Sequence, residues 1–475
     1  MNFLKIKTVL IFFVIIYQAC SFSRSKDAEQ EKIPVAALRE DFDILRKTLE
    51  EAHPGLYWYS DKLAMNTFFD STKKLIDHDM TSLAFYNMLL PVISNIKCLH
   101  TNLRFSKGDN SVANPFTYLL PFEFFCQNEK LYIRKSLNGN IYEGREIVSI
   151  NSIETKEILQ TILKHLPADG YNETYKYHLL NKGAFREGYA MLFGQPNQFT
   201  IMSIDSSNQL SSFTVQAASP QKEFFLPQTS TNPLLLSFHN KTAILSVNTF
   251  QLNKQQFRDS IKRMFLTIQQ KDARHLIIDL RQNGGGLNDN VSILYSYITT
   301  ASFLHLKRAE MKATSLTYTK YIANPKSIGN ASNGSDSNST FEVNDRYAGT
   351  KTTLPATTNL FNGDVVLLTS GGTVSAASEF AAIAHHLKRA KILGEETGGC
   401  YYGANGGNFL LLKLPNSGFE VRIPTIRIFT AVNEDFIHQP KGRGTLPDYQ
   451  VCPTINDVVL GKDVQLNSAL SILEN

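Results

Sequence analysis

The stretch DVVLLTSGGTVSAASEFAAIAHHLKRAKILGEETGG, residues 364–399, decides the fold. Its first seven residues are an apolar run with β-branched members, and Gly371 and Gly372 then turn the chain. Residues 376–389 carry small and apolar side chains at helical spacing, and 390–394 return to an extended apolar run. Strand, glycine turn, helix and strand make the βαβ unit of a parallel sheet. Ser375 and Ser378 stand where the helix begins. Taken singly, either serine reads as a helix cap. A serine on a strand-to-helix turn also has what an exposed nucleophile needs, because the helix N-terminus and the next backbone N–H favour negative charge there. The pattern is not G-x-S-x-G, which argues against an α/β-hydrolase.

The same alternation extends outward from about residue 232 to the end. TAILSVNTF (242–250) and HLIIDL (275–280) are short apolar runs, with the helical stretch 254–270 between them. This predicts an α/β region with a largely parallel sheet. Three glycines, 284–286, follow the second run, and a glycine-rich strand end can turn backbone N–H groups toward an anion. No Gly-Lys-Ser/Thr follows them, so they are not a phosphate loop. Residues 34–110 read as an N-terminal helical domain, with Leu38, Phe42, Leu45 and Leu49 on one helix face and HPGLYWY (53–59) as a break. Residues 111–220 read as a mixed α+β module, opening on a hairpin over 121–139. There GREIVSIN (144–151) resembles the turn of PDZ domains, which bind peptide ends along a sheet edge. Residues 221–475 read as the α/β domain, with a polar, Gly/Ser-rich loop insertion at 324–358.

The composition is globular: 43% of the 475 residues are hydrophobic and 19% charged. A net charge of +5 without a basic run argues against a nucleic-acid partner. Residues 1–20 have the layout of an export signal, with Lys5 and Lys7 ahead of an apolar run that is short of the roughly 20 residues of a membrane span. Gln18-Ala19-Cys20 resembles a bacterial lipobox, with Tyr17 where leucine is usual. Cys20 is therefore the expected lipidation site, 21–33 a tether, and the cell envelope the expected location, with the membrane as a partner through the lipid. Cys98, Cys126, Cys400 and Cys452 have no disulfide or zinc spacing and are expected as free thiols.

Read as a set, IIDLRQNGGG (277–286), TVSAASEFAAIAHHLKRAKILGEETGG (373–399) and GRGTLPDYQV (442–451) resemble the C-terminal processing peptidases (tail-specific proteases) and the tricorn core. HPGLYWY and CLHTNL (98–103) resemble exported bacterial members of the tricorn-like branch, so the likeness spans nearly the whole chain after the leader. It implies a crotonase-like catalytic domain with an N-terminal helical cap and a PDZ-like module. It also implies a serine endopeptidase acting on proteins or peptides, with no cofactor and no metal. In the family the nucleophile lies nineteen residues before the glycine of G-E-x-T-x-G. That glycine is Gly394 here, which makes Ser375 the implied nucleophile and puts Ser378 one turn into the helix. The implied oxyanion donors are the N–H groups of Ala376 and of Gly285 or Gly286.

The lysine base of one branch would fall on Cys400, and no lysine lies between Lys391 and Lys413. The tricorn-like branch uses the histidine of H-T, so the resemblance implies His100 as base. Its orienting acid, three residues before Gly-x-x-Pro-Asp, is replaced here by Lys441, and Glu434 or Asp435 of the same loop are the substitutes. The serine before the histidine is Leu99. These departures leave a second reading on the same fold, a catalytically impaired protein that binds peptides or apolar ligands. His53 reads as a packing residue, and His385 and His386, about 15 Å along a helix from Ser375, are poorly placed as bases.

Overall fold

The computed structural model describes residues 31–105, 116–137, 139–219, 232–312, 316–324, 340–344 and 347–474. The export signal with Cys20 and most of the tether lie outside the described residues. Among the described residues no helix is long and apolar enough to cross a membrane.

Residues 364–394 form a βαβ unit. Asp364–Thr369 pairs in parallel with His275–Asp279 on one side and Lys391–Gly394 on the other, and the helix Ala376–His386 crosses between. The full sheet runs Leu234–His239, Thr242–Val247, His275–Asp279, Asp364–Thr369, Lys391–Gly394, Tyr449–Gln450, all parallel except the first strand. Its strands are nearly continuous apolar runs because helices cover both faces. Phe257, Ile261 and Phe380 pack on one face, and Ala469 of the C-terminal helix Val464–Glu474 packs on the other.

The second layer corrects the expectation of a crotonase-like domain. Strands inserted before Asp364–Thr369 and after Lys391–Gly394 build a separate antiparallel sheet, in the order Thr340–Glu342, Leu306–Lys312, Glu420–Thr430, Gly403–Lys413. The reason is local. The two long strands are joined by a short turn at residues 414–419, too short for the crossover of a dozen residues that a parallel pair requires. The N-terminal region adds a further strand to this sheet, as Asn102–Arg104 pairs with Glu420–Arg422.

The N-terminal helices Val35–Ala52, Lys62–Leu75 and Ser82–Asn95 share one core with the antiparallel sheet. Leu38, Phe42, Leu45 and Leu49 meet Leu410, Leu412, Val421 and Ile423. Buried Asp41 ties the two together, accepting from the N–H groups of Asn416 (3.0 Å) and Ser417 (2.7 Å) and from Ser417 Oγ (2.6 Å). Charge-assisted bonds of this kind are roughly twice as strong as neutral ones.

The PDZ-like module has its own core around Phe124, Ile133, Ile147, Ile158 and Phe199. Its sheet orders Phe122–Gln127, Lys130–Ser136, Glu146–Ile150, Gln198–Ile204 and Leu210–Gln216, backed by the helices Thr155–His165 and Phe185–Phe193. The Asn151-Ser152 turn holds both residues at positive φ (49° and 66°), the geometry a two-residue hairpin needs. Of the insertion expected as a loop at 324–358, the described parts are half-buried or exposed and are pinned at a few points. Thr340–Glu342 is an edge strand, and Asn324 accepts from Leu411 N–H at 2.8 Å.

Candidate active site

From Val365 to Ala384 every residue is buried except Ser375. Ser375 is the residue just before the helix Ala376–His386, and its backbone sits at φ 55°, ψ −131°. A non-glycine residue there costs on the order of 1–3 kcal/mol, and such strain is found where the surroundings over-determine a functional position. Ser378 is fully inside the helix, and its hydroxyl donates to the Ser375 carbonyl at 2.7 Å.

The strain is set by the two glycine-rich turns pressed together. A Cβ on Gly285 would stand 2.6 Å from Ser375 Cβ and 3.0 Å from Ala376 N, so no larger residue fits there. Gly285 has φ +94°, and its N–H donates to Asn283 Oδ1 at 2.9 Å. Buried Asn283 in turn donates to Val247 O at 2.9 Å, and its own carbonyl accepts from Val374 N–H at 3.2 Å. Of the amides singled out from sequence, that of Gly285 is therefore spent inside the turn. Those of Gly286 and Ala376 have no acceptor among the described residues.

His100 follows the third helix and precedes the strand Asn102–Arg104 that joins the antiparallel sheet. Its neighbour Thr101 is fixed from below by the HPG turn: His53 Nε2 lies 3.0 Å from Thr101 Oγ1, and Gly55 N–H donates to His53 Nδ1 at 3.2 Å. His53 is buried, and burial pushes its pKa down to about 3, which keeps it a neutral packing group. His100 lies against Gly406 of the long hairpin and 5.9 Å from the ring of Phe409. Burial, with Arg422 nearby, lowers its pKa to about 4, opposed by a hydrogen bond to the Asn405 carbonyl. Its Nδ1 is buried and has no hydrogen-bond partner among the described residues.

The carboxylate beside His100 is Asp169. It has no local signal in the sequence, standing alone in LPADGYN between two helices. One atom each from Cys98 (Sγ), His100 (a ring nitrogen) and Asp169 (a carboxylate oxygen) lie within 4.8 Å of one another. Asp169 Oδ1 accepts from Leu99 N–H at 2.8 Å, while Oδ2 is buried without a partner. Burial raises the Asp169 pKa to about 7, against the pull of the Leu99 and Cys400 amides. Cys400 links this cluster to the serine, because a Cβ on the adjacent Gly399 would stand 3.0 Å from Ser375 N. Cys400, where the other branch carries lysine, is a buried thiol whose pKa burial raises well above the usual range.

The loop expected to supply the orienting acid is placed differently. Asp435 is exposed, with its carboxylate 2.9 Å from Nδ1 of exposed His438, and Glu434 is exposed as well. Farther along, Gly442 is seated on the Asp169 turn through Tyr171 N–H to Gly442 O at 2.7 Å. Thus the segment around Lys441 and the turn bearing Asp169 meet. His385 and His386 lie in the last turn of the helix that Ser375 starts. Cys126 is buried and Cys452 exposed, and no disulfide occurs among the described residues.

No curated protein matches the sequence. Among solved structures, the chain is similar to a mutant of CPAF (TM-score 0.68, 13% identity, covering 92% of this chain and 97% of that one). It is also similar to CPAF complexed with lactacystin (TM-score 0.63, 13% identity, 92% and 97%) and to mature CPAF (TM-score 0.62, 14% identity, 90% and 94%). At these identities the likeness is one of fold, and the fold is of the S41-peptidase type with a PDZ-like module, in place of the crotonase-like one expected. Residues 241–451, which hold both glycine turns, Ser375 and the long hairpin, match the model of Peptidase family S41, which assigns that region of the chain to the family.

Proposed function

We propose that the protein is a serine endopeptidase in which Ser375 attacks the scissile carbonyl and His100 accepts its proton. The observation that carries this reading is the singular position of Ser375, the one accessible residue in a buried strand–turn–helix, held in strained geometry at a helix N-terminus. A tetrahedral oxyanion formed there meets the N–H groups of Ala376 and Gly286, while Gly285 serves to bring the two turns into contact. His100 then returns the proton to the leaving amine, and water hydrolyses the acyl-enzyme by the same steps in reverse.

A base in such a pair needs a group that sets its tautomer. Asp169 takes that role in this reading, its free Oδ2 and the free Nδ1 of His100 being the two unsatisfied atoms of one buried cluster. Lys441 therefore does not leave the base unsupported. The test is labelling with a serine-reactive phosphonate, followed by peptide mapping. A label on Ser375 that is absent from Ser375→Ala supports the reading. An unlabelled protein that also cleaves no member of a broad peptide panel points to the binding-protein alternative.

A further inference from the structure

The buried cluster under His100 contains one group that hydrolysis does not use, the thiol of Cys98. We propose that Cys98, His100 and Asp169 form a site for one soft divalent cation of the zinc class, and that filling it stops hydrolysis by taking the base out of use. The binding half stands on geometry alone. The inhibitory half rests on the peptidase reading above.

The three donor atoms come from two segments and converge within 4.8 Å. All three residues are at least nine-tenths buried, with His100 8% and Asp169 2% exposed. Within this cluster His100 Nδ1 and Asp169 Oδ2 have no hydrogen-bond partner among the described residues. An unpaired buried polar atom ordinarily costs on the order of 1–3 kcal/mol, so two in one cluster call for a shared occupant. A metal ion held by all three residues is such an occupant. Donors around a single zinc-sized ion stand about 3.5 Å apart, so the cluster has to contract by roughly 1 Å, within the reach of a side-chain rotation.

The donor set selects the ion class. Thiolate and imidazole favour zinc-like ions over calcium or magnesium, which take oxygen ligands. On binding, Cys98 releases its thiol proton and Asp169 binds as the carboxylate. One thiolate and one carboxylate then balance a divalent charge in a pocket whose nearby cation is Arg422. Three protein ligands leave a fourth tetrahedral position for water. The other buried histidine–acid contact, His305 with Glu379, does not belong to such a three-donor cluster among the described residues.

Binding is tested on the Ser375→Ala protein, where no turnover interferes, by titration with cobalt(II). One equivalent is expected to give a near-ultraviolet thiolate-to-cobalt charge-transfer band. Adding Cys98→Ala removes the band, and adding Asp169→Asn weakens binding about tenfold or more. Absence of the band, or its survival in Cys98→Ala, overturns the site. Inhibition is tested on the wild-type protein with zinc. The initial rate is expected to fall about tenfold or more at one equivalent and to return with a chelator. Cys98→Ala, relative to its own metal-free rate, changes by less than about twofold. A wild-type protein that binds cobalt yet keeps its rate in zinc overturns the inhibitory role. A protein with no metal-free rate at all sinks the peptidase reading and leaves the cobalt band to decide the site.

Discussion

Two buried histidines of this protein each lie beside a buried carboxylate, and they differ in what surrounds them. His305 and Glu379 are sealed, 0% and 2% exposed, with Nε2 and Oε2 2.9 Å apart although the ring is turned out of line for a directed hydrogen bond. Glu379 is one turn into the helix that Ser375 starts, so this pair is the nearer of the two in sequence. His305 O accepts from Ala431 N–H at 3.0 Å, which fastens that helix to the end of the long hairpin. His100 and Asp169 instead sit where the antiparallel sheet, the N-terminal helices and the Asp169 turn meet, and Gly399–Cys400 leads from them to Ser375. A carboxylate next to a histidine is thus not enough to mark a base. The His305 pair lies between the helix and the hairpin end, whereas the His100 pair shares its cluster with Cys98 and is joined to Ser375 through Gly399–Cys400.

The comparison breaks most directly at the serine. Ser375→Ala is expected to lower kcat/KM on a cleaved peptide by about 10³-fold or more while leaving the circular dichroism spectrum unchanged. A mutant with wild-type rates removes the reason for assigning a base at all. Next in size, His100→Ala is expected to cost about 10²–10⁴-fold in kcat, whereas His305→Ala leaves the kcat of the folded fraction within a few-fold. The reverse order would exchange the roles of the two histidines.

Asp169→Asn is expected to cost less, about 10–10²-fold, mostly in kcat. Its sharper signature is in pH. With its pKa raised to about 7, Asp169 gains its charge as pH rises through neutrality, so activity rises with it. His100, lowered to about 4, is already neutral over that range and cannot produce this limb. The wild-type kcat/KM profile should therefore show an acid limb near 7, and Asp169→Asn should lose it. The two groups titrate as a pair, so the limb belongs to the cluster. The smallest expected effect on chemistry is that of Glu379→Gln. It should act on stability, by roughly 3 kcal/mol in denaturant unfolding, as removal of one partner of a buried pair does.

The resemblance to the peptidase family was legible because its markers are local. Glycines that turn a strand, a serine at a fixed spacing from Gly394 and an H-T step all read from short windows. The glycine assignments were coarser, since Gly285 and Gly286 are adjacent and only the Asn283 contact shows which N–H is spent. The orienting acid was sought in the Lys441 loop because the family places it there. Glu434 and Asp435 lie on the surface, and the acid at His100 comes from a turn more than two hundred residues earlier in the chain. The crotonase-like expectation failed for a similar reason. The strand pattern of 403–413 and 420–430 shows that strands form, but whether they extend one sheet or start another depends on the N-terminal helices that cover them.

By itself the sequence determined the α/β alternation of residues 232–475, the glycine turns, and which of two serines stands on the strand-to-helix step. The first two follow from backbone preference and spacing over a few residues, and the third from the family's nineteen-residue spacing to Gly394. Only the tertiary structure decided that the second sheet is separate from the first, that the Gly285 amide is occupied, and that Asp169 meets Cys98 and His100. Burial and the convergence of remote segments fix those properties. A carboxyl with a pKa near 7 owes it to groups that close around it only when the chain is folded.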